Sequence, residues 1–199
     1  MLVPVIENRN QTATSSRRGK RRDRLVRLIV IPLLVLAGIW FVTGMPGRSW
    51  SGSVPPLTVK EQRIQDNLKR HVEELAGRIG ERNVWRPEAM AAAAGYIRMT
   101  LEETGYVVNV QSFTSRGQAV ANIEAILPGH AAADEIIVIG AHYDSVADCP
   151  GANDNASGVA TLLELARLLA GTSLPRSVRF VAFANEEAPF FYGDEMGSN

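Results

Sequence analysis

The stretch Gly140-Ala-His-Tyr-Asp-Ser-Val-Ala-Asp-Cys-Pro-Gly-Ala-Asn-Asp-Asn-Ala-Ser-Gly158 decides how this chain folds and what chemistry it can carry. An unbroken apolar run, Ile136-Ile137-Val138-Ile139, leads into it, and such a run predicts a strand buried on both sheet faces. His142 and Asp144 then fall at the strand's C-terminal end. Pro150-Gly151 makes a turn, Asp154 comes next, and Val159, Leu162, Leu163, Ala166 and Leu169 recur at helical spacing. Asp154 is therefore held just ahead of a helix N-terminus. Ligands of open α/β sheets bind outside the carboxyl ends of the strands, so an imidazole and a carboxylate delivered there can meet as half of a metal site.

A second apolar strand, expected over Ser177–Asn185, ends in Asn185-Glu186-Glu187. Two adjacent carboxylates thus emerge at the same sheet edge as His142 and Asp154. Adjacent carboxylates can divide labour, one holding a metal and the other accepting a proton. A metal lowers the pKa of water from ~15.7 to about 7, and a free carboxylate beside it takes the proton. Asp144, two residues past His142, suits fixing the imidazole through its other nitrogen.

The rest of the chain frames this site. It has 199 residues, 46% hydrophobic and 21% charged, with zero formal net charge, which suits one globular domain with appendages. Thr58 and Glu61 form a capping-box pattern opening an amphipathic helix through Ile64, Leu68, Val72, Leu75 and Ile79 to Gly80. A second helix opens at Pro87 and stops at Gly105. Strand-like runs at Tyr106–Phe113 and Ala119–Leu127 flank a Ser-Arg-Gly turn. His71 reads as a solvated or packed helix residue and His130 as a surface residue in a turn. Cys149 is the single cysteine, which excludes an intrachain disulfide framework; it lies beside the site, where a thiol can be a metal ligand, but a small buried or loop cysteine is the favoured reading.

The basic residues crowd the N-terminus: Arg17, Arg18, Lys20, Arg21, Arg22, Arg24 and Arg27. A nucleic-acid reading of this tail yields to the apolar segment directly behind it. From Leu28 to Met45 there is no charge, and at ~1.5 Å per residue the run reaches ~27 Å, close to a ~30 Å hydrocarbon core. Pro32 lies near the cytoplasmic end, where a helix tolerates it best, and Trp40 near the other end suits an interfacial anchor. The length of the run and the absence of an Ala-x-Ala pattern after it favour an uncleaved anchor over a signal peptide. Basic residues precede the span, so the N-terminus stays cytoplasmic and the rest is exported. The expected organisation is a disordered basic cytosolic tail (1–24), a transmembrane signal anchor (25–45, with residues 28–45 in the membrane), a Gly/Ser/Pro linker (46–57) and the N-terminal part of a folded domain (58–199).

Gly140-Ala-His-Tyr-Asp-Ser, Gly151-Ala-Asn-Asp-Asn-Ala-Ser-Gly158 and Phe183-Ala-Asn-Glu-Glu with Met196-Gly197-Ser198 resemble the motifs of family 28 of the co-catalytic zinc metallopeptidases, of the aminopeptidase Y and bacterial leucyl aminopeptidase type. Weaker shared features are Ile79-Gly80-Glu81-Arg82-Asn83 and Asn122-Ile123, so the likeness spans roughly residues 60–199. The resemblance implies a phosphorylase/hydrolase-like α/β fold, a mixed sheet flanked by helices. It implies two zinc ions, one held by His142, the other by Glu187, with Asp154 bridging them. It further implies Glu186 as general base, Asp144 as the residue that orients His142, and peptides as substrates.

The resemblance also implies one further ligand for each zinc, an Asp and a His downstream of these motifs. Asp194 stands too close after Glu187 to be that Asp, and neither His71 nor His130 is in the right part of the fold. The expectation is therefore an N-terminal portion of a peptidase domain, incomplete at its C-terminus, with weak zinc binding, poor solubility and no aminopeptidase activity of its own. Two other readings are a non-catalytic binding ectodomain on the same scaffold, as in the transferrin receptor relatives, and a glutaminyl-cyclase-like transferase. The intact His142, Asp154, Glu186 and Glu187 favour the enzyme, and the Glu-Glu pair matches the peptidases better than the cyclases.

Overall fold

A computed structural model describes residues 10–44, 47, 51–190 and 192–199, with side chains from residue 26 onward. The chain divides into two units, Met1–Val54 and Pro55–Asn199. In the first, helix α1 (Asn10–Thr43) contains Pro32, and its segment Val26–Thr43 is long and apolar enough to cross a membrane by length and composition. Residues 10–24, expected to be disordered, are helical: once the apolar segment has nucleated a helix, each added residue closes a further hydrogen bond at little entropic cost. Residues 1–9 of the tail and positions 45, 46 and 48–50 around the linker lie outside the described residues.

The second unit opens with the expected capping box. Thr58 donates its backbone N–H to Glu61 at 2.7 Å, and the Glu61 N–H returns to the Thr58 hydroxyl at 3.3 Å. This box starts α2 (Val59–Val72), which runs on as a π-helical turn, Glu73–Ile79, that stops at Gly80. Helix α3 (Pro87–Glu103) begins with its proline in the first turn, where a missing N–H costs nothing. Strands β1 (Val108–Ser115), β2 (Gln118–Leu127) and β3 (Ala132–His142), helix α4 (Ser157–Leu169) and strand β4 (Arg176–Phe183) complete the unit.

The strands form one mixed sheet in the order β1-β2-β4-β3. β2 pairs antiparallel with both β1 and β4, whereas β3 runs parallel to β4. Helix α3 packs against β2 and α4 against β3 and β4, and α2 lies along α4. Ile97, Leu101, Leu162, Leu163 and Phe180 are essentially removed from water in the resulting core, each aliphatic one contributing about 1.5–3 kcal/mol.

A further expectation is overturned. Ile136, Ile137 and Val138 are not buried on both faces but 47, 43 and 58% exposed. The reason is position: β3 is the edge strand, and among the described residues no strand pairs with its outer side. The apolar run does form a strand, but an apolar strand at an edge and one in the middle of a sheet have the same sequence signature.

Candidate metal centre

The parallel pairing of β3 with β4 creates the site. Its register sets His142 opposite Phe183, and the Tyr143 N–H extends the pairing to the Phe183 carbonyl at 2.9 Å. Both strands therefore end at one edge, and Glu186 and Glu187 leave β4 three and four residues beyond the partner of His142.

Asp154 arrives by the loop from β3 to α4. Gly151 sits in that loop at φ 59°, and a Cβ there would come within 2.5 Å of the Asp154 carbonyl and 2.7 Å of the Ser145 Cβ, so the turn requires glycine. The Asp154–Asn155 peptide is cis. Asn155 Oδ1 accepts the Gly158 N–H at 3.1 Å and so ties the loop to the first turn of α4.

The geometry gathers the predicted residues. Ligand atoms of His142, Asp154 and Glu187 all lie within 4.8 Å of one another. His142 Nε2 is 3.0 Å from Asp154 Oδ1, and its Nδ1 is 3.3 Å from Asp144 Oδ1. Asp144 is 2% exposed and accepts the Glu186 and Glu187 backbone N–H groups at 3.2 and 3.0 Å. Glu186 is not one of that group: Ser198 gives its backbone N–H to one carboxylate oxygen at 2.8 Å and its hydroxyl to the other at 2.9 Å.

Electrostatics make this cluster favour added positive charge. Burial opposes charge on the His142 ring, but Asp144, Asp154 and Glu187 together outweigh it and raise its pKa. Burial first, and then the charge of Asp154, pushes the Glu187 carboxyl up. His142 Nδ1 is buried with no well-aligned hydrogen-bond partner, and the Asp144 carboxylate is the group it faces. A carboxylate behind a histidine whose other nitrogen joins two carboxylates is the pattern of a histidine ligand, and one imidazole with two carboxylates is a donor set that suits zinc. The residues fit the metal.

Other candidates lie elsewhere. His71 is buried beside Tyr96, His130 is exposed ahead of β3, and Asp194 and Cys149 are outside the cluster of His142, Asp154 and Glu187. The Met196-Gly197-Ser198 motif is legible in the sequence, but the grip of Ser198 on Glu186 is not. Gly197 explains the spacing: its N–H reaches the Ala184 carbonyl at 2.9 Å and its carbonyl accepts from Asn122 Nδ2 at 2.6 Å, which fixes the next residue beside Glu186.

Residues 122–196 match the family model described as Peptidase family M28. The uncharacterised protein YfbL of Escherichia coli is 36% identical over 160 residues, covering 76% of this chain and 48% of YfbL, so the chain spans about half the length of that relative. The zinc aminopeptidase BSAP of Bacillus subtilis shares the fold, with a TM-score of 0.56 at 16% identity over 61% of each chain. The glutaminyl cyclase of Porphyromonas gingivalis superposes with a TM-score of 0.53 at 27% identity, covering 65% of this chain and 47% of the cyclase.

Proposed function

The chain belongs to peptidase family M28 through residues 122–196, and on that premise we propose a membrane-anchored, zinc-dependent exopeptidase of aminopeptidase type whose exported domain hydrolyses peptide bonds near a free terminus. The observation that carries the reading is the convergence of His142, Asp154 and Glu187 beside a carboxylate, Glu186, that is held apart from them by Ser198. His142, Asp154 and Glu187 are the residues that would hold the zinc. Bound zinc supplies Lewis-acid chemistry, polarising a carbonyl and making water ionise near neutral pH.

The remaining work falls to this chain's own side chains. Asp144 keeps the His142 ring in one orientation and, through the Glu186 and Glu187 amides, fixes where both glutamates leave the strand. Ser198 aims both oxygens of Glu186. Glu186 takes a proton from the attacking water and returns it to the leaving amine, a role worth about 10²–10⁴ in rate. The charge asymmetry around Val26–Thr43 supports the anchor and its orientation.

The test is Glu186→Gln in a protein that carries the complete metal site, where it removes the base and leaves the ligands. Zinc content by atomic absorption should stay unchanged while hydrolysis of aminoacyl anilides falls at least ~100-fold; substantial turnover with zinc bound would remove Glu186 from this role. Likeness to a glutaminyl cyclase supports a second reading, cyclisation of N-terminal glutamine with release of ammonia. Assaying a glutaminyl peptide for ammonia beside the anilide assay separates the two.

A further inference from the structure

Arg82 is fully buried, and no carboxylate lies within ion-pair distance of it among the described residues. Its guanidinium is instead surrounded by backbone carbonyls. Nε donates to Tyr143 O at 2.7 Å, Nη1 shares its two hydrogens among Leu75, Gly80 and Pro150 O at 2.9, 2.7 and 2.6 Å, and Nη2 donates to Gly151 O at 3.2 Å. These acceptors come from three segments: the π-helical turn and its stop, the chain just past His142, and the turn three residues before Asp154.

The backbone of Arg82 repeats the connection. Its N–H reaches the Ser145 hydroxyl at 3.0 Å, its carbonyl accepts the Ser145 N–H at 2.7 Å, and the Ser145 hydroxyl continues to the Cys149 carbonyl at 2.8 Å. The loop that carries Asp154 is thus tied to one residue at its start and again at the turn just before Asp154. Burying a cation without a counter-ion in contact is costly, so a merely space-filling role is a poor explanation of an arginine here. Burial works against the charge and prevails, with Asp144 and then Cys149 acting in its favour.

We propose that Arg82 is a positioning residue for the metal centre, setting the separation of His142 and Asp154 by clamping residues 143–145 to residues 150–151; the inference rests on the zinc reading above. Only a planar fork with five donors can satisfy carbonyls arriving from three directions, and the three donors of a lysine radiate from a single atom. Charge alone should therefore not rescue the function.

The experiment compares Arg82→Lys with Leu101→Ala, which empties a buried site in α3, in the full chain. Hydrogen exchange is read by mass spectrometry on the metal-free protein, and zinc affinity by competition with a chelator. Arg82→Lys is expected to lose at least about tenfold protection in residues 143–156 with α4 and β4 little changed, and to weaken zinc about 10–100-fold. Leu101→Ala is expected to lower the melting temperature, loosen the whole unit and leave zinc affinity within about twofold. If Arg82→Lys loosens the unit uniformly, or loses cooperative unfolding, Arg82 serves the fold at large and the proposal is overturned. If residues 143–156 loosen selectively while the parent protein binds no zinc, the clamp stands and the zinc reading fails.

Discussion

Ser198 holds both oxygens of Glu186, one through its backbone N–H at 2.8 Å and the other through its hydroxyl at 2.9 Å. The backbone contact survives the loss of the side chain, whereas the hydroxyl can be removed alone. Ser198→Ala should therefore lower kcat about tenfold, part of what a positioned base contributes, with zinc content unchanged. Steady-state kinetics with metal analysis checks this, and a loss of zinc would mean that Ser198 supports the ligands rather than the base.

Gly197 puts Ser198 in reach of Glu186, and it has no room for a side chain. A Cβ would come 2.3 Å from the Ala184 carbonyl and 2.5 Å from Asn122 Oδ1. Both atoms belong to buried groups that cannot step aside cheaply. Gly197→Ala should destabilise the unit by about 1–3 kcal/mol and reduce activity more than Ser198→Ala does. Urea unfolding and kinetics on the two variants decide it; equal stability would show that the segment shifts freely.

His71 is the second histidine with a defined environment. Burial, and after it the charge of Arg70, pushes its pKa down to about 4, with Glu164 acting the other way and Arg167 adding to the depression. The folded state binds this proton less readily than the unfolded chain does, so the contribution is complete above the ordinary histidine pKa and is lost as pH falls from about 6.5 towards about 4. The loss amounts to about 3 kcal/mol. Urea unfolding at pH 7 and pH 4.5 should show a smaller acid penalty in His71→Gln than in the parent; an identical penalty would locate the acid sensitivity elsewhere.

Topology has its own test. An alkaline-phosphatase fusion after Pro56 should be active and a reporter that needs the cytosol inactive at the same point, because basic residues precede the apolar part of α1. The reverse pattern would invert the proposed orientation.

The residues that meet at the site are readable because each ends an element with a strong local signature: His142 after an apolar run, Asp154 before a helical period, Glu187 after β4. Their convergence needs one further condition, parallel pairing of β3 with β4, that no single stretch encodes. Exposure of Ile136–Val138 is not readable, since it depends on which strands lie beside β3 and not on β3 itself. Arg82 is visible only as part of a motif. Its partners are carbonyls, and a carbonyl leaves no trace in residue identity. The grip of Ser198 on Glu186 is hidden for a similar reason, because one of its two contacts is a backbone N–H.

Asp144 faces His142 with one oxygen and takes the amides of Glu186 and Glu187 with both. The imidazole and the start of the glutamate turn are consequently one rigid jaw, and neither can shift without breaking contacts of the same buried carboxylate. Asp154, 71% exposed on its loop, is the opposing jaw. In the proposed metal site, any adjustment of the opening between them would fall to the loop side.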